Sequence, residues 1–188
     1  MRGAATVVAA ALLAGGLWQL GQGAYIHAKA GLAQALMGRA WSRTLDGERA
    51  VKPWPWADTW PVARLLVPAL EVDLFVVAGA NGRAIAFGPG HAFGTPLPGE
   101  VGNSVIGGHR DTHLAFLRDL EPGVEILVER PDGVRRRYRV DWTRVVDKRD
   151  VWVLENGGPT RLTLITCYPF DALRAGGPLR YVVVARAI

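Results

Sequence analysis

With 188 residues, 49% of them hydrophobic and 21% charged, the chain can bury one substantial core plus an appendage and is too short for two large domains. A formal charge of +5 permits attraction to anionic lipid, nucleic acid or an acidic envelope without selecting among them. One cysteine, Cys167, excludes an internal disulfide and leaves the redox compartment open.

The chain begins with a run that has no Asp, Glu, Lys or Arg between Arg2 and Lys29. Roughly 20 helical residues cross a bilayer core of about 30 Å, so residues 1–28 are expected to form a transmembrane anchor. His27 then falls at its membrane end. The alternative is a cleaved signal peptide, for which AKA at 28–30 offers a small-x-small site; the length of the run favours an uncleaved anchor. Charge signs the orientation poorly, because Lys29, Arg39 and Arg43 follow the span while Arg2 precedes it.

Residues 29–61 read as a membrane-proximal helix and a connector. Leu32, Ala35, Leu36, Met37 and Ala40 recur at spacings that suit one helical face. The stretch VKPWPWADTWPV holds three prolines and three tryptophans, which excludes a regular helix or a central strand. Its tryptophans suit either lipid headgroups or packing against the following domain.

From residue 62 onward the texture is short β-like runs between turn signals: ARLLV, EVDLFVV, NSVIGG, VEILVE, VRRRYRVDWTRVV, RLTLIT and RYVVVA. In VERPDGVRRRYRVDW a PDG turn joins two alternating strands. Val134, Tyr138, Val140 and Trp142 are expected on one face, with Arg135, Arg137, Arg139 and Asp141 on the other. No aromatic residues interleave with these arginines, so the basic face reads as solvated rather than as a nucleic-acid surface. Many short strands with little helix predict a mostly-β barrel or sandwich.

Cys167 ends an apolar, β-branched run, either as a small core hydrophobe or as a nucleophile on a rim. A thiol attacks as thiolate and needs an acid/base group or a positive charge beside it. His109, in GNSVIGGHRDTHLAFL, stands at the tip of a strand as Cys167 does, after two glycines that allow close approach. Arg180, opening RYVVVA, supplies a guanidinium for an oxyanion. His91, in FGPGHAFGT, either shapes a turn or lines a substrate surface. A metal site is not expected: His109 and His113 lie four apart, but Arg110 stands where a helical zinc-peptidase motif needs Glu.

GNSVIGGHRDTHLAFL, TLITC and the arginine of RYVVVA, in that order, resemble the sortase family, membrane-anchored cysteine transpeptidases of bacterial envelopes. FGPGHAFGTPLPGEVGN also resembles the loop that precedes the histidine segment. The likeness runs from about Ala63 to Ile188, and the amino-terminal layout is similar to that of sortases from Gram-negative bacteria, with a class D-like signature.

The resemblance implies an eight-stranded β-barrel with short helices over residues 62–188, preceded by the transmembrane helix, with the site at one edge. It implies Cys167 as nucleophile, His109 as general acid/base and Arg180 as the group that binds substrate and steadies the oxyanion, with Arg174 as the fallback. Thr166, Asp111 and His91 are the substrate-binding candidates, and Asp111 serves equally as an orienter of His109 or a turn cap.

The substrate implied is a secreted protein with a C-terminal LPxTG-like sorting signal, joined to an amine acceptor through a thioester. No metal or organic cofactor is needed. The amino terminus is expected inside the cytoplasmic membrane and the barrel outside. A peptidase that releases its acyl group to water and a non-catalytic tethered β module are the rival readings.

Overall fold

A computed structural model describes residues 2–174 and 176–188. Its elements are one α-helix, α1 (Arg2–Leu45), and eight strands: β1 (Pro61–Val67), β2 (Val72–Ala78), β3 (Gly90–His91), β4 (Asn103–Gly108), β5 (Glu125–Glu129), β6 (Arg135–Asp147), β7 (Arg161–Tyr168) and β8 (Leu179–Ala187). Short 3-10 turns at Pro68–Leu70, Ala84–Ala86, Ala115–Asp119 and Val151–Leu154 punctuate the connections.

The strands close into a barrel in the order β1-β2-β3-β4-β7-β8-β6-β5, the barrel rather than the sandwich. Closure leaves no free sheet edge. The seven β-like runs of the sequence all become strands. β3 was not among them, because two residues carry no periodicity to read. Inside, Leu65, Val67, Val76, Ile106, Ile126, Val128, Tyr138, Leu162, Leu164 and Val183 form one buried cluster.

The hairpin of β5 and β6 turns at residues 131–133, with Gly133 at φ 75 and its N–H donating to the Arg130 carbonyl. Tyr138 and Val140 are buried as expected, but Trp142 is not in that row. A register shift between Val140 and Trp142 reverses the alternation, as an extra residue in one strand must. Trp142 therefore packs outside the barrel with Val146, Val153, Ile165, Val182 and Val184. Val134 is exposed as well, at the turn end of the hairpin. Arg137 pairs with Glu125, and Arg135 with Glu129, so the basic face carries its own counter-charges.

α1 runs unbroken for 44 residues across the boundary expected at residue 28, about 66 Å at 1.5 Å per residue. Among the described residues no helix is long and apolar enough to cross a membrane, so the anchor expected over residues 1–28 gains no support from them. Ala, Gly, Gln19 and Gln22 dilute the apolarity of that stretch. Met1 and the side chain of His27 lie outside the described residues.

The carboxy-terminal third of α1 docks on the barrel through Ala33, Met37, Ala40, Trp41 and Thr44, all buried. Only Met37 and Ala40 belong to the face expected from apolar spacing; Leu32 is 62% exposed. Polar contacts decide the difference. Gln34 accepts from the Phe75 N–H at 2.9 Å and donates to the Phe87 carbonyl at 2.8 Å, and Trp41 donates to the buried Glu129 carboxylate at 3.1 Å.

The Trp/Pro connector also packs on the domain. Trp54 meets Phe87 edge-on with centroids 4.9 Å apart, Trp60 packs against the core, and Thr59 donates to the Ala78 carbonyl. Trp56 remains exposed.

Candidate active site

Two parallel strands end together at one rim. β4 and β7 pair with Ile106 beside Leu164 and Gly108 beside Thr166, so the residues that follow, His109 and Cys167, leave adjacent strand ends at the same level. The last glycine of NSVIGG sits in a tight place. A Cβ on Gly108 would stand 3.0 Å from Leu114 Cγ and 3.1 Å from its Cδ1, so that leucine would have to move by a few tenths of an ångström. Thr166 Oγ1 donates to the Gly108 carbonyl at 2.8 Å, pinning the two ends just before the histidine and the thiol.

The third strand supplies the cation. β7 and β8 are antiparallel with Cys167 directly opposite Arg180, and opposed residues share a face of the sheet. That face is the outer one: Leu162 and Leu164 point into the core, as do Val183 and Ala185, whereas Ile165 and Val182 belong to the outer cluster. Period-2 alternation then carries Cys167 and Arg180 outward.

Cys167 is only partly buried, not sealed in the core. Arg180 is half-buried, its Nη1 donating to the carbonyls of Gly177 and Leu179, each at 2.8 Å. It borders a cavity of about 180 Å³ whose wall includes Val146, Val153, Leu154, Ile165 and Val182.

His109 is exposed. Its charge reaches the buried His113 imidazole, which burial holds below the ordinary histidine value, with His109 lowering it further and Asp111 opposing. His113 follows a strand end rather than lying on a helix with His109, and among the described residues no group of three or more His, Cys, Asp or Glu could hold a metal ion.

The remaining sequence candidates separate. Thr166 is buried at 2% exposure and faces inward by the same alternation, so it ties strands together instead of lining an open groove. His91 is also buried, with Nε2 2.9 Å from the Pro96 carbonyl and 3.0 Å from Thr95 Oγ1. Its ring is engaged in closing its own loop, the turn-shaping alternative. Asp111 is exposed on the turn after His109, and among the described residues no hydrogen bond joins the two. Arg174 presents an exposed side chain; its contribution to the site is its backbone carbonyl, which accepts from Arg110 at 2.8 Å.

Arg110 is the residue that sequence reasoning passed over. The sequence offered only its place beside His109, and nothing in the pattern revealed that its side chain is 7% exposed and reaches a loop more than sixty positions away.

A sortase-domain family model matches residues 65–188. The chain belongs to the sortase family. It is 30% identical over 125 residues to Sortase D of Bacillus subtilis (strain 168), a match covering 66% of this chain and 62% of that protein; the chain therefore spans less than two thirds of that relative's length.

Among solved structures it is similar to sortase C-1 of Actinomyces oris, with 30% identity, a TM-score of 0.61, and coverage of 68% of this chain and 72% of that one. The fold also matches a Clostridium perfringens Sortase D5 transpeptidase, at 22% identity and a TM-score of 0.62, over 87% of this chain and 99% of that one. This sortase barrel thus carries its half-exposed thiol opposite an arginine and beside the strand end that leads to a histidine.

Proposed function

We propose that this sortase is a cysteine transpeptidase that cleaves an LPxTG-like sorting signal near the carboxy terminus of a secreted protein and joins the acyl fragment to an amine. The observation that carries the reading is the convergence of three strand ends, with Cys167 opposite Arg180 and one strand away from the end that bears His109.

In this reading the Cys167 thiolate attacks the scissile carbonyl carbon, forming the C–S bond and moving the π electrons onto oxygen. The Arg180 guanidinium stabilises that oxyanion. Protonated His109 passes its proton to the departing amine as the C–N bond breaks, leaving a thioester. An acceptor amine then attacks the thioester, neutral His109 takes its proton, and the thiolate departs. The cavity beside Arg180 offers Val, Leu and Ile side chains to an aliphatic residue of the sorting peptide, with Asp147, Lys148 and Asp150 also on its wall.

The same proposal places the barrel on the extracytoplasmic side of the cytoplasmic membrane, with the amino terminus inside and α1 as tether. The uncharged run between Arg2 and Lys29 supports it. Cell fractionation followed by protease treatment of intact spheroplasts tests this part: barrel fragments released from outside are expected, and a protected barrel overturns it.

The chemical test is incubation of the full chain with a sorting-signal peptide, with and without hydroxylamine or a glycine peptide. An amine-capped product is expected. Release of the free acid alone, undiminished by amine, makes the protein a thiol peptidase. No cleavage, together with a Cys167 that resists a thiol probe until the protein unfolds, makes it a non-catalytic module.

A further inference from the structure

We propose that Arg110 is a positioning residue, a clamp that holds the loop between β7 and β8 so that Arg180 stays registered with Cys167 and His109. The proposal rests on the roles assigned above. Arg110 directly follows His109, and its Nη2 donates to two carbonyls of that loop, Ala172 at 2.7 Å and Arg174 at 2.8 Å. Among the described residues no carboxylate pairs with it.

A guanidinium keeps its charge in a protein, and removing it from water is costly. Here it is almost fully buried, and its Nη1 lies buried without an acceptor. That cost is set against charge-assisted bonds to backbone carbonyls, which are stronger than neutral ones.

The loop needs such donors, because its carbonyls lie outside the strand ladder. Its far end is gripped the same way, by Arg180 Nη1 on Gly177 and Leu179. Two guanidiniums therefore hold one loop, one on the residue after the histidine and the other on the residue paired with Cys167. Through this loop the strand end of β4 is connected to the cation on β8, in addition to the direct β4–β7–β8 pairing. Without Arg110 the loop retains its strand attachments but loses the anchor at its middle, and Arg180 loses a fixed frame.

The test compares Arg110→Met and Arg110→Lys with the parent full chain. Peptide-level hydrogen exchange over 169–178 is expected to quicken about tenfold or more in Arg110→Met, while the barrel strands exchange as before. Turnover of a sorting peptide per titrated thiol should lose roughly tenfold to a hundredfold in kcat with KM within about twofold, because misplacing a group by an ångström costs that much. Arg110→Lys, which keeps the charge and can reach a single carbonyl, should recover part of both losses.

Unchanged loop exchange in Arg110→Met overturns the clamp, as does a loss of turnover that merely follows the fraction of folded protein. Should Arg110→Met fail to fold, Arg110→Lys carries the same two readouts. If the parent chain turns over no sorting peptide, the functional reading falls while loop exchange still decides the clamp.

Discussion

The rim where β4, β7 and β8 end and the flank where α1 lies on β1, β2 and β5 are built on opposite terms. At the rim the histidine is exposed, the thiol and Arg180 are half-buried, and the polar groups that are spent hold backbone in place. On the flank Met37, Ala40 and Trp41 are buried, and the Glu129 carboxylate beside them has Trp41, Arg135 and Arg64 as partners. The difference teaches that the candidate catalytic groups of the rim stand outside the packed core that carries them. Rate and stability should therefore be separable by mutation.

The largest effect is expected from Cys167→Ala, which removes the bond-forming atom. Sorting-peptide turnover should vanish while the thermal midpoint stays near that of the parent, and measurable turnover removes Cys167 from the nucleophile's role. Arg180→Ala comes next, with a loss on the order of 10²- to 10³-fold in kcat for one oxyanion donor. A rate within a fewfold of the parent would move the oxyanion elsewhere, Arg174 first.

The flank gives the converse. Trp41→Ala should lower unfolding stability by roughly 3–5 kcal/mol, the usual cost of emptying a buried aromatic site, as read from urea unfolding. The folded fraction should keep the parent kcat. A large kcat loss per folded molecule would couple the two regions and break the contrast.

The smallest effect comes from His113, beneath the rim. Its folded value lies below the ordinary 6.5, so the unfolded chain binds the proton first. Stability from this group is thus fully present above about pH 6.5 and is lost as pH falls from there through the lowered folded value. His113→Phe should flatten that part of the stability curve between neutral and mildly acidic pH, and an unchanged curve would place the titration on another group.

Most of the barrel could be read from the residues because its strands are short apolar or alternating runs between turn signals: seven runs were visible, and NSVIGG coincides with β4. The candidate trio of Cys167, His109 and Arg180 stood out through the resemblance to the sortase family, and each member ends or opens such a run. Three features were not. The bulge between Val140 and Trp142 leaves no mark in a pattern that still looks alternating, so Trp142 was placed on the wrong face. The docking face of α1 follows Gln34 and Trp41, whose hydrogen bonds an apolar count ignores. Thr166 was taken for a groove residue, although strand parity turns its hydroxyl inward to Gly108.

By itself the sequence placed Cys167, His109 and Arg180 at the ends of strand-like runs, because side-chain type and strand patterning are local properties of the chain. Only the tertiary structure decided that those ends meet on one rim, since the pairings of β4 with β7 and β7 with β8 fix levels between distant segments. It also decided that Arg110 turns inward to a loop over sixty residues on. A buried charge is explained by the carbonyls that receive it, and those are known only once the chain has closed upon itself.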